Sequence, residues 1–186
     1  ANLKGTETVI NRLPDGKVYI LDQIHSELID YPSIYQNFKK DIYEGLQAGL
    51  KQIKKYQKII LLYNEERQPK GILDGFNLFC AHNGIQNKII DTLNDRELFK
   101  GELYIVLDDK NLIRIIKRIK DEHLTLAKDI GIISYNDTLL KEIVEGGITT
   151  ISTNFNLMGE RLAEMILNSE FAQVENPNRL IQRKSL

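Results

Sequence analysis

Four places in this 186-residue sequence set polar residues directly after a short apolar run. Asp108-Asp109 follows "LYIVL", and Asn136-Asp137-Thr138 follows "IGIISY". Thr153-Asn154 follows "ITTIS", and Asp22-Gln23 follows "VYIL". Carboxylates, amides and hydroxyls in such positions suit hydrogen bonding to vicinal hydroxyls. A carboxylate accepts bonds on both oxygens, and an amide both gives and accepts. A competing role is helix capping, in which the same side-chain oxygens accept an orphan backbone N–H. Adjacent polar residues can serve both ends: one caps and the other stays free for a ligand. The expectation is that Asp137 or Thr138 caps the helix that follows, while Asn136 faces the ligand. Asp108 and Asn136 are expected on one edge of one sheet.

Other chemistries find little support. His25, His82 and His123 are scattered without ligand spacing, so no metal is expected. Cys80 sits on an apolar stripe with Phe76 and Phe79 and reads as a core thiol. There is no phosphate-binding glycine loop, no nucleophile elbow and no Ser/His/Asp grouping, so no cofactor is expected either. Asp108 and Asp137 could in principle do acid/base work as a small α/β enzyme, but no nucleophile accompanies them. The basic stretch "RIIKRIKDEH" (114–123) interleaves with a helical stripe and reads as a solvated face. A net charge of −1 gives no general attraction to nucleic acid or acidic lipid. One cysteine suits a reducing compartment, and neither a signal-peptide pattern nor a long apolar run occurs. A cytoplasmic protein without a membrane partner is expected.

Elements must place the strand-end residues. Short β-branched runs at 18–22, 58–63, 87–91, 103–108, 130–135, 148–152 and 179–186 alternate with segments of helical period. Most runs lack in/out alternation, as strands covered on both faces do. Stripes at Phe38, Ile42, Leu46, Leu50 and Ile53, and at Ile72, Phe76 and Phe79, each cover one face of a helix. Further stripes run through Leu112, Ile115, Ile116 and Ile119 and through Phe155, Met158, Leu162 and Ile166. "EGG" (145–147) is a helix stop. The pattern predicts an α/β fold with a doubly wound parallel sheet. The Pro-containing stretches at 12–17, 31–33 and 174–179 read as linkers. The run at 18–22 has too little sequence before it for a complete lobe, so the sheet is expected to lack its opening strands.

The segment "DIGIISYNDTLLKEIVEGGITTISTNFNLMGERLAEMIL" resembles the C-terminal part of the lactose-repressor/galactose-repressor family. That family carries a "GxxxYDDxP…LTTIxQDxxxxGxxAxxLL" pattern. It is matched here by Tyr135, Asn136, Asp137, Thr149, Thr150, Ile151, Asn154, Phe155, Gly159 and Ala163, with "RKSL" (183–186) at the end. "PKGILDGFNLFC" (69–80) and "YIVLDDKNLIRII" (104–116) resemble two further segments, the first through Gly75-Phe76. The opening "VYILDQ…YPSIYQNFKKDIYEGL" is similar to GntR-type regulators of Bacteroides-like bacteria.

The resemblance implies a type I periplasmic-binding-protein-like fold, mostly the second lobe with part of the first. Residues 1–36 would be the tail of the first lobe and 37–146 the second lobe. Residues 147–170 would cross back to the first lobe, and 171–186 would add the C-terminal strand of the second. It implies a sensing domain that binds a small neutral sugar between lobes and controls an N-terminal DNA-binding domain absent from this chain, in a homodimer. A transport-linked sugar-binding protein of the same fold is the alternative. Asn136, Asp108, Thr153 and Phe155 take the places of sugar contacts. Two departures bear on the sugar: Ile72 stands where the family has Arg, and Asn136 where it has Asp. Arg67 and Lys70 lie near enough in sequence to replace the missing guanidinium.

Overall fold

The structure is a computed structural model describing residues 6–186 except 11, 15, 25 and 95; His25 therefore lies outside the described residues. In chain order the elements are α1 (Thr6–Ile10), β1 (Ile20–Asp22), β2 (Ser33–Tyr35), α2 (Phe38–Ala48), α3 (Leu50–Ile53), β3 (Lys58–Leu62), α4 (Lys70–Asn83), β4 (Asn87–Ile90), β5 (Glu102–Val106), α5 (Asp109–Asp121), β6 (Ile130–Tyr135), α6 (Leu139–Ile143), β7 (Thr149–Thr153), α7 (Phe155–Leu167), β8 (Gln173–Glu175) and β9 (Asn178–Ile181).

The chain divides into two compact units. The first holds Ala1–Asn37 and Thr153–Asn178, the second Phe38–Ser152 and Arg179–Leu186. The first unit carries a three-stranded sheet in the order β1-β2-β8, with both pairings parallel. Its core gathers Ile34, Met158 and Met165, with Tyr19, Leu162 and Val174 packed against them. Two stretches read as linkers are strands here. Ser33 begins β2, and Val174 and Glu175 lie in β8, which pairs with β2. A proline within or beside each stretch masked them. Pro32 precedes β2 and Pro177 follows β8, positions where a missing N–H costs no ladder bond. Through that pairing residues 173–175 join the first unit, whereas 171–186 was expected to return to the second lobe.

The second unit is built on a six-stranded sheet ordered β4-β3-β5-β6-β7-β9. The pairings β4-β3, β3-β5, β5-β6 and β6-β7 are all parallel. Alternate residues face two different cores, which is why the runs showed no polar face. Ile59, Leu61, Leu103, Ile105 and Ile133 pack with Ile42 and Leu46 of α2 and Phe76 and Phe79 of α4. Ile60, Leu62, Tyr104, Val106, Ile130 and Ile132 pack with Leu112, Ile115, Ile116 and Ile119 of α5. This is the doubly wound α/β fold. Gly75 permits the close approach of α4 to α2, since a Cβ there would lie 2.2 Å from the Lys39 carbonyl oxygen. The stripe from Phe38 to Ile53 was read as one helix, but it breaks at Gly49 between α2 and α3. Cys80 is buried, and desolvation pushes its thiol up to about 12, which leaves it inert.

The run 179–186 is a strand only as far as Ile181. Its last residues are held by side-chain bonds and by one backbone bond, from Ile132 N–H to the Ser185 carbonyl at 2.9 Å. The Ser185 hydroxyl donates to the Ile132 carbonyl at 2.7 Å and accepts from Thr149 N–H at 2.7 Å, so it bridges the sheet from outside the ladder.

Candidate functional site

The sheet order fixes where a ligand belongs. From β3 the chain goes to β4 on one side and to β5 on the other, so the order reverses between β3 and β5. In open α/β sheets ligands bind beyond the carboxyl ends of the strands near such a reversal. Register places the candidate residues there. Val106 pairs with Ser134, so Asp108 and Asn136, two residues further along each parallel strand, emerge on the same edge. Leu62 pairs with Val106, which brings the turn after β3, with Asn64, to that edge as well. The expected common edge for Asp108 and Asn136 is what the sheet shows.

The end of β6 is held by bonds from several directions. Asn136 adopts a left-handed backbone with φ 60°, a region asparagine enters more readily than most residues. Its N–H donates to the Ile151 carbonyl at 2.8 Å, and Asp137 N–H donates to Ser152 Oγ at 2.9 Å. The Asp137 carboxylate accepts a two-pronged bond from Arg183, at 2.6 Å from Nη1 and 2.8 Å from Nη2. It also accepts from the Thr150 hydroxyl at 2.9 Å. The Arg183 guanidinium, against some opposing desolvation, holds the Asp137 carboxyl below its ordinary range. Thr138 caps α6, its hydroxyl accepting from Lys141 N–H. Of the two residues expected to cap, Thr138 has the task, and Asp137 is an ion-pair partner. With the neighbouring groups so engaged, the Asn136 side-chain carbonyl Oδ1 is buried and accepts no hydrogen bond among the described residues.

The end of β5 is arranged differently. Asp108 is the N-cap of α5, and both its oxygens bind Asn111: Oδ1 accepts the backbone N–H at 2.8 Å, and Oδ2 accepts the side-chain amide at 2.8 Å. The spare member of this pair is Asp109, half exposed and ion-paired with Lys141 at 3.1 Å. Asn111, not among the expected site residues, presents a buried Oδ1 with no partner among the described residues. Its signal was present as the fourth residue of "DDKN", one turn beyond the cap, but a helix-interior asparagine carries no ligand mark of its own.

Thr153 and Phe155 lie in the first unit. Thr153 is buried. Its hydroxyl accepts from the Asn176 amide at 2.6 Å and lies 3.4 Å from the Pro177 carbonyl. Asn154 caps α7, accepting from Leu157 N–H at 3.1 Å, and Phe155 begins that helix with 48% of its surface exposed. Ile72 is buried in the core, while Arg67 sits in the turn after β3 and Lys70 opens α4. Among the described residues no group of three or more His, Cys, Asp or Glu could hold a metal ion, and no helix is long and apolar enough to cross a membrane.

The family model described as a periplasmic binding protein-like domain matches residues 53–186. The chain belongs to that family. Solved structures agree in fold. The lactose repressor bound to the anti-inducer ONPF in its induced state matches with a TM-score of 0.75 at 18% identity, over 96% of this chain and 71% of that one. The Escherichia coli transcriptional repressor ascG matches at 0.72 and 16% identity, over 97% of this chain and 72% of the other. A LacI-family transcriptional regulator from Enterococcus faecium, with bound ribose, matches at 0.72 and 20% identity, over 90% and 69%. No curated protein matches the chain by sequence. The doubly wound sheet is thus that of a periplasmic-binding-protein-like domain, a fold shared with LacI-family repressors.

Proposed function

We propose that this domain is the effector-sensing part of a transcriptional regulator and that its effector is a small neutral sugar. The observation that carries the reading is the unpartnered Asn136 Oδ1 at the carboxyl edge of the six-stranded sheet. A buried acceptor without a donor costs on the order of 1–3 kcal/mol, which a ligand hydroxyl would recover. Asn111 Oδ1 presents the same unmet demand on the adjoining strand end. Two acceptors call for a ligand rich in donors. The two cations at the end of β6, Arg183 and Lys141, are already bound to carboxylates, which favours an uncharged polyol over a phosphate or carboxylate. Asp108 acts in this reading by orienting Asn111.

The regulatory step is allosteric. The sugar must bind two states of the domain with different affinity, and a DNA-binding domain outside residues 1–186 reads the change. We place the regulator in the cytoplasm as a homodimer, with the GntR-type resemblance of the opening segment as the guide to its DNA-binding part. Calorimetry with a panel of aldopentoses and aldohexoses tests the reading. At least one should bind the unaltered chain, and Asn136→Gly should bind it about 1–3 kcal/mol more weakly while keeping its melting temperature. Equal affinity in the variant, or no binding by any sugar of the panel, refutes it.

A further inference from the structure

Lys141 is a lysine where the chain has little reason to bury one. It is 2% exposed, on the short helix α6, and its ammonium meets three oxygens. Nζ donates to the Tyr135 carbonyl at 2.8 Å and to the Asn136 carbonyl at 2.8 Å, and it lies 3.1 Å from Asp109 Oδ1. An ammonium has three N–H groups, so its donors are matched one for one. Two of the three acceptors are successive backbone carbonyls. In an extended strand successive peptide groups alternate in direction, and such a pair does not converge on one cation. The left-handed φ of 60° at Asn136 breaks the alternation, and the two carbonyls meet the same nitrogen. Burying the ammonium is costly unless every donor is paired, so the cation and the turn depend on each other.

We propose that Lys141 is a positioning residue. It holds Asn136 in the left-handed conformation that presents Oδ1 to the ligand, and through Asp109 it ties the end of β6 to the start of α5. The consequence for ligand affinity rests on the sugar-sensing reading above. The consequence for the turn does not. Lys141 stands five residues past Asn136, on the α6 face that looks back along the strand it caps. Without the ammonium the two carbonyls would lose their shared donor, and the left-handed turn would lose the contact that draws them together.

The experiment uses the whole chain with Lys141→Met, which keeps the apolar stem and removes the charge, and Asn136→Gly, which enters the left-handed region without strain. In ¹⁵N-labelled protein, Lys141→Met should shift or broaden the amide resonances of residues 135–138 and 109 and leave those of β3 and β4 in place. In urea unfolding, the midpoint loss caused by Lys141→Met should shrink by at least half in the Asn136→Gly background, because glycine no longer needs to be held. A lysine that merely packs α6 would give the same loss in both backgrounds. An unmoved 135–138 turn or equal midpoint losses overturns the proposal. For whichever sugar of the panel binds, Lys141→Met should weaken affinity at least tenfold with Asn136 present and by less than twofold in Asn136→Gly. If no sugar binds, the sensing reading fails alone, and the amide resonances and midpoints still decide the role of Lys141.

Discussion

The ends of β5 and β6 carry nearly the same sequence problem and solve it in opposite ways. Each offers polar neighbours to one following helix: Asp108-Asp109 before α5, and Asn136-Asp137-Thr138 before α6. At β5 the first residue caps and commits both oxygens to Asn111, so the unmet acceptor is displaced onto the helix. At β6 the cap moves two residues on, to Thr138, and the side chain between is clamped by Arg183. That leaves the first residue, Asn136, with its oxygen unclaimed. Which member of a polar cluster is free is therefore set by which later residue takes the cap and which distant residue brings a charge. The identity of the cluster does not set it.

Substitutions at the two ends should respond accordingly. Asp137→Ala strands the Arg183 guanidinium in a half-buried position. It should cost about 2–3 kcal/mol in urea unfolding, the largest effect at either strand end. The same pair sets a pH dependence. The folded Asp137 carboxyl lies below its unfolded value, so its contribution is whole above the unfolded value of about 3.9 and is lost as pH falls through the folded one. Asp137→Asn should flatten the acid limb of the stability profile, and an unchanged limb would show that Asp137 does not titrate against Arg183.

The next effect is on affinity. Asn136→Gly should weaken sugar binding by about 1–3 kcal/mol in calorimetry with no loss of stability, while Asn111→Ala should weaken it by a similar or smaller amount. If Asn111→Ala alone mattered, the displaced acceptor at β5 would be the principal one and the contrast between the ends would invert. Asp108→Ala should cost about 1 kcal/mol of stability as a lost cap, measured as a shifted urea midpoint. Thr138→Ala should cost the least, about 0.5–1 kcal/mol, because its bond to Lys141 N–H is long at 3.3 Å. A Thr138→Ala loss as large as that of Asp137→Ala would mean that the cap, and not the ion pair, secures the end of β6.

The α/β class, the long helices and the polar character of the strand ends were legible from composition and period alone. Runs such as Ile130–Tyr135 lack a polar face because both faces are buried, and that leaves an unmistakable mark in sequence. β2 and β8 were illegible for the opposite reason. Each is three residues long and beside a proline, and their existence depends on pairing with each other across about 140 residues. Clustering of Asp108 and Asn136 on one edge follows from parallel pairing, which the sequence pattern already implied.

What the sequence by itself determined, then, was which residue types stand at the strand ends. Hydrophobic period and local chemistry are written within a few neighbours of each residue. Only the tertiary structure decided which of those residues remain unoccupied. Arg183 reaches Asp137 from 46 positions away, Ser152 meets Asp137 N–H from the next strand, and the Lys141 ammonium converges on two carbonyls that a straight strand would turn apart. A hydrogen-bonding group is free or committed according to what lies within about 3 Å of it in space, and chain neighbours fix only part of that surrounding.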